Sequence, residues 1–175
     1  MIISFRCKST PRNFPGRRAG LSARSPIRMA IALLDTNILI DALNQIPQAL
    51  TEIGYYQRIS ISSMTWMELM VKPLAEQSMG RISALDMQRM RRFLCAFMVL
   101  HMDDAIMIEA AKIRASSLVK PPKMALPDAI IQATAQVKGY LLVTRNKKDF
   151  RCKNLRLPYE LQNGAVFNVA APPDP

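Results

Sequence analysis

The stretch AIALLDTNILID, residues 30–41, restricts the possible folds more than any other part of the chain. Ala30 to Leu34 is apolar at every position, which suits a strand covered on both faces, the usual condition in a parallel sheet. Ile38, Leu39, Ala42 and Leu43 then recur at helical spacing. A strand therefore hands over directly to a helix, and Asp35 stands at the junction. In open α/β sheets that carboxyl edge is where ligands bind. A helix cap accounts for Asp35 equally well, because Asp accepts hydrogen bonds from the free amides of a first helical turn. The stretch alone leaves both readings open.

The alternation continues downstream. RISIS (58–62) reads as a second strand, and MTWMELMV (64–71) as a helix that Ser62 or Ser63 can cap. SALDMQRMRRFLCAF (83–97) predicts a helix that turns Leu85, Met90, Phe93, Leu94 and Phe97 inward and Arg89, Arg91 and Arg92 to solvent. FMVLHM (97–102) is a third strand, DDAIMIEAAKIRASSLV (103–119) a helix, and KPPKMA a loop. LPDAIIQATAQVKG (126–139) is a helix closed by Gly139, and YLLVT (140–144) is a fourth strand. Strands alternating with helices predict an α/β domain with a parallel sheet covered on both faces.

Composition removes several classes. No window reaches the roughly 18 to 20 consecutive apolar residues of a membrane span. Cys7, Cys95 and Cys152 are odd in number and lack C-x-x-C spacing, so neither a disulfide framework nor a zinc site is expected, and a reducing cytoplasm is. His101 is the sole histidine, which leaves no second imidazole for catalysis; its expected role is structural, beside the third strand. The G-x-G-x-x-G fingerprint is absent after the first strand, as is a phosphate-cradling P-loop.

The net charge of +11 is unevenly spread. Residues 1–28 hold seven basic residues and no acid, leaving 17 basic and 12 acidic residues between 29 and 161. With Pro, Gly and Ser and no apolar period, residues 1–28 are expected to be a disordered basic leader. Its simplest account is a misplaced start upstream of Met29, with a transit peptide as the rival. Residues 29–161 are the expected domain, and 162–175, rich in proline, a flexible tail.

Carboxylates carry what chemistry remains. Asp35, Glu68, Asp128 and Asp149 each lie near a strand end or a strand-to-helix junction. Singly, each has a plain explanation: a cap, a solvated helix residue, a dipole partner after Pro127, or an ion pair with Arg145 or Lys153. Connections leaving one edge of a parallel sheet bring such positions to one cleft, however. Clustered carboxylates repel one another and raise one another's pKa unless a cation neutralises them, and hard cations such as Mg²⁺ or Mn²⁺ take oxygen ligands.

At this point LLDTNILID, ISISSMTWMEL, LPDAIIQATA and LLVTRNKKDF, in this order, resemble the motifs of the PIN-domain ribonucleases. The likeness is greatest to the VapC-type toxins of bacterial toxin–antitoxin pairs, and it covers about residues 29–160. It implies a PIN-like α/β/α sandwich with a central, mainly parallel sheet, and a metal-dependent endoribonuclease in the cytoplasm, homodimeric and held by an antitoxin protein. Structured RNA such as tRNA or rRNA is the implied substrate. Carried over by residue, Asp35, Glu68 and Asp128 match the acidic metal site. Either Asn146 or Asp149 stands for its fourth position. Thr144 matches the hydroxyl near the scissile phosphate, and Asn37 the residue that orients Asp35. A silent RNA-binding module and an RNA-processing nuclease without an antitoxin are the alternatives. A haloacid-dehalogenase-like phosphatase would need an acid where this chain has Asn37.

A basic run, Lys138, Arg145, Lys147, Lys148, Arg151, Lys153 and Arg156, is expected to contact phosphates beside the acids, or else to be a solvated loop. Phe150 should anchor that loop in the core. The methionines of the helices, Met64, Met67, Met70, Met87 and Met90, are read as packing the core or a partner's groove.

Overall fold

The computed structural model describes residues 31–173. The basic leader and the start at Met29 lie outside the described residues. Ala32–Leu34 (β1) is fully buried, as its unbroken apolar character requires. Thr36–Leu43 (α1) follows, then Pro47–Gly54 (α2), Ile59–Ser62 (β2), Ser63–Ser78 (α3), Ala84–Leu94 (α4) and Met98–Leu100 (β3). Asp104–Val119 (α5), Leu126–Lys138 (α6), Leu141–Val143 (β4) and Leu155–Arg156 (β5) complete the main layer. A short 3-10 turn, Lys147–Asp149, and a hairpin of Glu160–Gln162 (β6) with Ala165–Phe167 (β7) flank it.

The five strands run in the order β3-β2-β1-β4-β5, every pair parallel. Alternation divides the core in two. Ala32, Leu34, Ile59, Ile61 and Val143 meet Ile38, Leu39, Ala49, Ile53 and Leu94 on one face. Leu33 and Leu142 meet Ile131, Ala135 and Phe150 on the other. Ile106 and Ala110 of α5 seal Ile130 and Ala133 of α6. This is the expected α/β/α sandwich, and Phe150 anchors its loop as expected. From β1 the chain builds outward through β2 and β3, then returns to place β4 against β1's other side. That reversal makes the carboxyl ends of β1 and β4 a topological switch point, where a crevice opens in such sheets.

Several elements differ from the sequence expectation. α2 escapes it because its apolar pattern spans only two turns; its start signal is Pro47 in the first turn, where a missing N–H costs nothing. α3 runs to Ser78 through Pro73 rather than ending at 71. In α4, Leu85 is 54% exposed rather than inward, and Met87 takes the buried place. His101 is exposed just past β3 rather than packed beside it. The chain after 161 is not simply loose: Asn163 and Gly164 both have positive φ, 50° and 80°, and make the two-residue turn of the β6–β7 hairpin. Asn-Gly is the strongest short hairpin signal, here overshadowed by the prolines that follow. Ala170 N then donates to Pro158 O at 2.9 Å, which ties the segment back.

Candidate functional site

Asp35 is both the cap and a candidate ligand. Its Oδ1 accepts from Thr36 N at 2.7 Å, closing the first turn of α1, a cap that contributes about 1 kcal/mol. Its Oδ2 accepts from the Thr144 hydroxyl at 2.7 Å and from Asn37 Nδ2 at 2.5 Å. Asn37 also donates to Thr144 Oγ1 at 3.0 Å, and its Oδ1 accepts from Arg145 N at 3.0 Å. Asn37 thus spans the crevice between the ends of β1 and β4, in the orienting place expected of it.

Thr144 is fully buried, and its hydroxyl is saturated. It gives its one proton to Asp35 and accepts from Asn37 Nδ2 and from Asn146 N at 3.0 Å. A hydroxyl has one donor and two lone pairs, and here all three are engaged within the protein.

Glu68 reaches the same place from α3, where Ser62 caps the helix by accepting from Thr65 N at 2.9 Å. The Thr36 hydroxyl donates to Glu68 Oε2. Thr36 was passed over in the sequence, although the D-T-N triplet placed it one step from Asp35. Asp128 lies in the first turn of α6, half-buried, and receives no hydrogen bond among the described residues. On the turn after β4, the Asn146 amide donates to Asp149 Oδ2, so the two candidates for the fourth position act as one unit.

Two of the acids respond to the charges of the others. Burial raises the Asp35 carboxyl above its ordinary value, opposed by its bonds from Thr144 and Thr36, and the charges of Glu68 and Asp149 raise it further. Asp128 is pushed up to about 6, first by burial and then by Asp149, Asp35 and Glu68. Among the described residues no three His, Cys, Asp or Glu side chains are already gathered into a cage. The donor set nonetheless fits a small hard cation, which keeps several waters and needs only one or two carboxylates directly. Asp35, Glu68 and Asp128 are the residues that could hold it, with Asp149 adding charge.

The basic run does not act as one surface. Arg145 Nε lies 2.7 Å from the buried Asp41, whose Oδ2 also accepts from the Tyr159 hydroxyl at 2.8 Å. Arg156 forks onto the buried Glu52 at 2.6 and 2.9 Å, and Tyr56 donates to the same carboxylate. Burial, then the neighbouring carboxylate, raises the pKa of both tyrosines, Tyr159 beside Asp41 and Tyr56 beside Glu52. Lys138 pairs with Asp103 at 2.8 Å, and Arg151 donates to the carbonyls of Lys120 and Pro122. Lys147 and Lys148 are exposed and line a cleft of about 800 Å³ with Asn37 and Asn146. Asp41 and Glu52 were missed as partners, though Asp41 sits three residues after Ile38 on the buried stripe of α1.

The model of the PIN domain matches residues 32–153. Among curated proteins none matches. A toxin–antitoxin complex from Klebsiella pneumoniae is similar at 33% identity and TM-score 0.61, over 74% of this chain and 99% of that one. A DNA-bound VapBC from Salmonella typhimurium is similar at 27% identity and TM-score 0.61, over 73% and 96%. VapBC2 from Rickettsia felis, bound to a DNA fragment from its promoter, shares the fold at 23% identity and TM-score 0.57, over 71% and 95%.

Proposed function

This chain belongs to the PIN-domain family, and we propose that it is a metal-dependent endoribonuclease, the toxin of a toxin–antitoxin pair acting in the cytoplasm. The observation that carries the reading is that Asp35 and Asp128, at the β1–β4 crevice, both have raised pKa, with the charges of Glu68 and Asp149 acting on them beside burial. Asp35, Glu68 and Asp128 would hold Mg²⁺ or Mn²⁺, and Asp149, tied to Asn146, would add charge beside them. Once bound, the cation supplies charge neutralisation at a phosphodiester and acidifies water for in-line attack. The chain's own part is positional. Thr144 and Asn37 hold one oxygen of Asp35, Thr36 N the other, and the Thr36 hydroxyl holds one oxygen of Glu68, which fixes both carboxylates in place. Histidine takes no part. Lys147 and Lys148 contact RNA phosphates, with tRNA or rRNA as the substrate class.

Two apolar surfaces suit the expected partners. Met67, Val71 and Leu74, at helical spacing on α3, are 45%, 66% and 43% exposed and lie beside Glu68. An amphipathic antitoxin segment fits this stripe, and a guanidinium extending from it would meet the carboxylates bidentately. On α5, Met107, Ile108, Leu118 and Val119 are exposed and suit a second copy of the chain.

The test is cleavage of tRNA and rRNA fragments by the purified chain with Mg²⁺, with Mn²⁺ and with a chelator. Cleavage should require the metal and should be lost in Asp35→Asn and in Asp128→Asn. Undiminished cleavage by both variants in a metal-buffered assay overturns the centre, and metal-tight RNA binding without any cleavage favours the silent module.

A further inference from the structure

The cleft of about 800 Å³ has two walls of different character. Asn146, Lys147 and Lys148, from the turn after β4, form one. Leu157 and, from β6, Glu160, Leu161 and Gln162 form the other. Asn37 also lines the cleft and donates to Asp35, so the cleft borders the acidic centre. Arg145 also borders it, but its charge is matched by Asp41, which leaves the two lysines as the net positive charge of that wall. The family match ends at residue 153, so the second wall is built by chain outside it.

We propose that this cleft is a nucleotide subsite of single-stranded RNA: Lys147 and Lys148 take the phosphate, and the hairpin wall receives the base. The inference rests on the nuclease reading above. The volume lies within the roughly 300–1,000 Å³ of sites that enclose ligands of nucleotide size. An ammonium pair and amides in one cleft with two leucines match a nucleotide's division into an anionic end and a flat apolar face with polar edges. Glu160, the one acid of the lining, accepts from base N–H groups and discriminates among bases rather than adding affinity for phosphate. The lysines set affinity and the hairpin sets sequence preference.

The experiment measures dissociation constants of the full chain carrying Asp128→Asn, which cannot cleave, for short labelled oligo(A), oligo(C) and oligo(U) at several salt concentrations. Lys147→Ala with Lys148→Ala should weaken all three alike and flatten the salt slope by about 0.7 per lost phosphate contact. Leu161→Ala with Gln162→Ala should weaken binding about tenfold, leave the salt slope unchanged and alter the order among the three oligomers. Gln162 is exposed, so Gln162→Ala alone serves if the double variant unfolds. Unchanged constants and an unchanged order in the hairpin variants overturn the subsite, even where the parent chain cleaves RNA. Hairpin-dependent preference in a chain that shows no metal-dependent cleavage upholds the subsite and overturns the nuclease reading.

Discussion

The Thr144 hydroxyl donates to Asp35 Oδ2 at 2.7 Å, joining the carboxyl ends of two adjacent parallel strands that lie more than a hundred residues apart in sequence. Removing that donor leaves Asp35 in the same desolvated place with less to hold its charge, so its pKa rises further. Thr144→Val should lower cleavage and metal affinity about 10- to 100-fold, the usual cost of losing a support behind a metal ligand. Thr144→Ser should restore both. A metal titration read beside cleavage rates checks this, and a Val variant with parental metal affinity would return Thr144 to a direct role at the phosphate.

The acids set the pH dependence of the metal-free protein. Asp128 has its folded pKa raised from 3.8 to about 6, so the folded state holds its proton where the unfolded chain has released it. Stability should therefore fall as pH rises from 3.8 to about 6 and then level off. Because Asp128 is only half-buried, solvent screening keeps the effect to a few degrees of Tm, on the order of 1 kcal/mol. Asp128→Asn should flatten this slope, leaving the part due to Asp35, and melt higher than the parent at neutral pH without metal. Thermal unfolding across that range, with chelator and then with added Mg²⁺, measures it.

Glu52 and Arg156 should behave as a buried pair and not as surface charges, because Glu52 is 3% exposed and forks onto Arg156. Glu52→Ala leaves the guanidinium without its counter-charge, with the Ala171 carbonyl still accepting from it, and the Tyr56 hydroxyl without its acceptor, at a cost of about 3 kcal/mol. In a chain of this size that lowers Tm by roughly 6 to 12 °C. Lys147→Ala with Lys148→Ala should leave Tm within about a degree, since exposed charges contribute little. Denaturant melts of both variants separate the two halves of the basic run.

Val71 lies in the exposed apolar stripe of α3 and takes no part in the acidic network. Val71→Lys should abolish the complex with an antitoxin while cleavage stays at the parental rate. Glu68→Gln, by contrast, should weaken both, because the same carboxylate would serve metal and guanidinium. Affinity measured beside activity for the two variants distinguishes the apolar surface from the centre.

Some of this was legible in the residues. Asp35, Glu68, Asp128 and Asp149 could be picked out because each follows a strand or opens a helix, and a parallel sheet gathers such positions at one edge. The partners of Arg145 and Arg156 could not, because Asp41 and Glu52 look like ordinary helix acids until their burial is known. The contacts of Thr144 with Asp35 and Asn37 were not legible, since the number of donors around a hydroxyl is a matter of three-dimensional contact. The hairpin was written plainly in Asn163-Gly164, and the prolines after it obscured the reading.

The sequence by itself determined the alternation of strands and helices, the apolar faces that stack into three layers, and which acids stand near one edge of the sheet. These follow from local periodicity and from the one-edge geometry of parallel crossovers, neither of which needs distant contacts to be known. Only the tertiary structure decided how the charges are spent: Arg145 and Arg156 inward on Asp41 and Glu52, Lys147 and Lys148 outward into a cleft. A formal charge is the same in either place, and what distinguishes them is desolvation, which depends on everything packed around the group and on nothing in its immediate sequence.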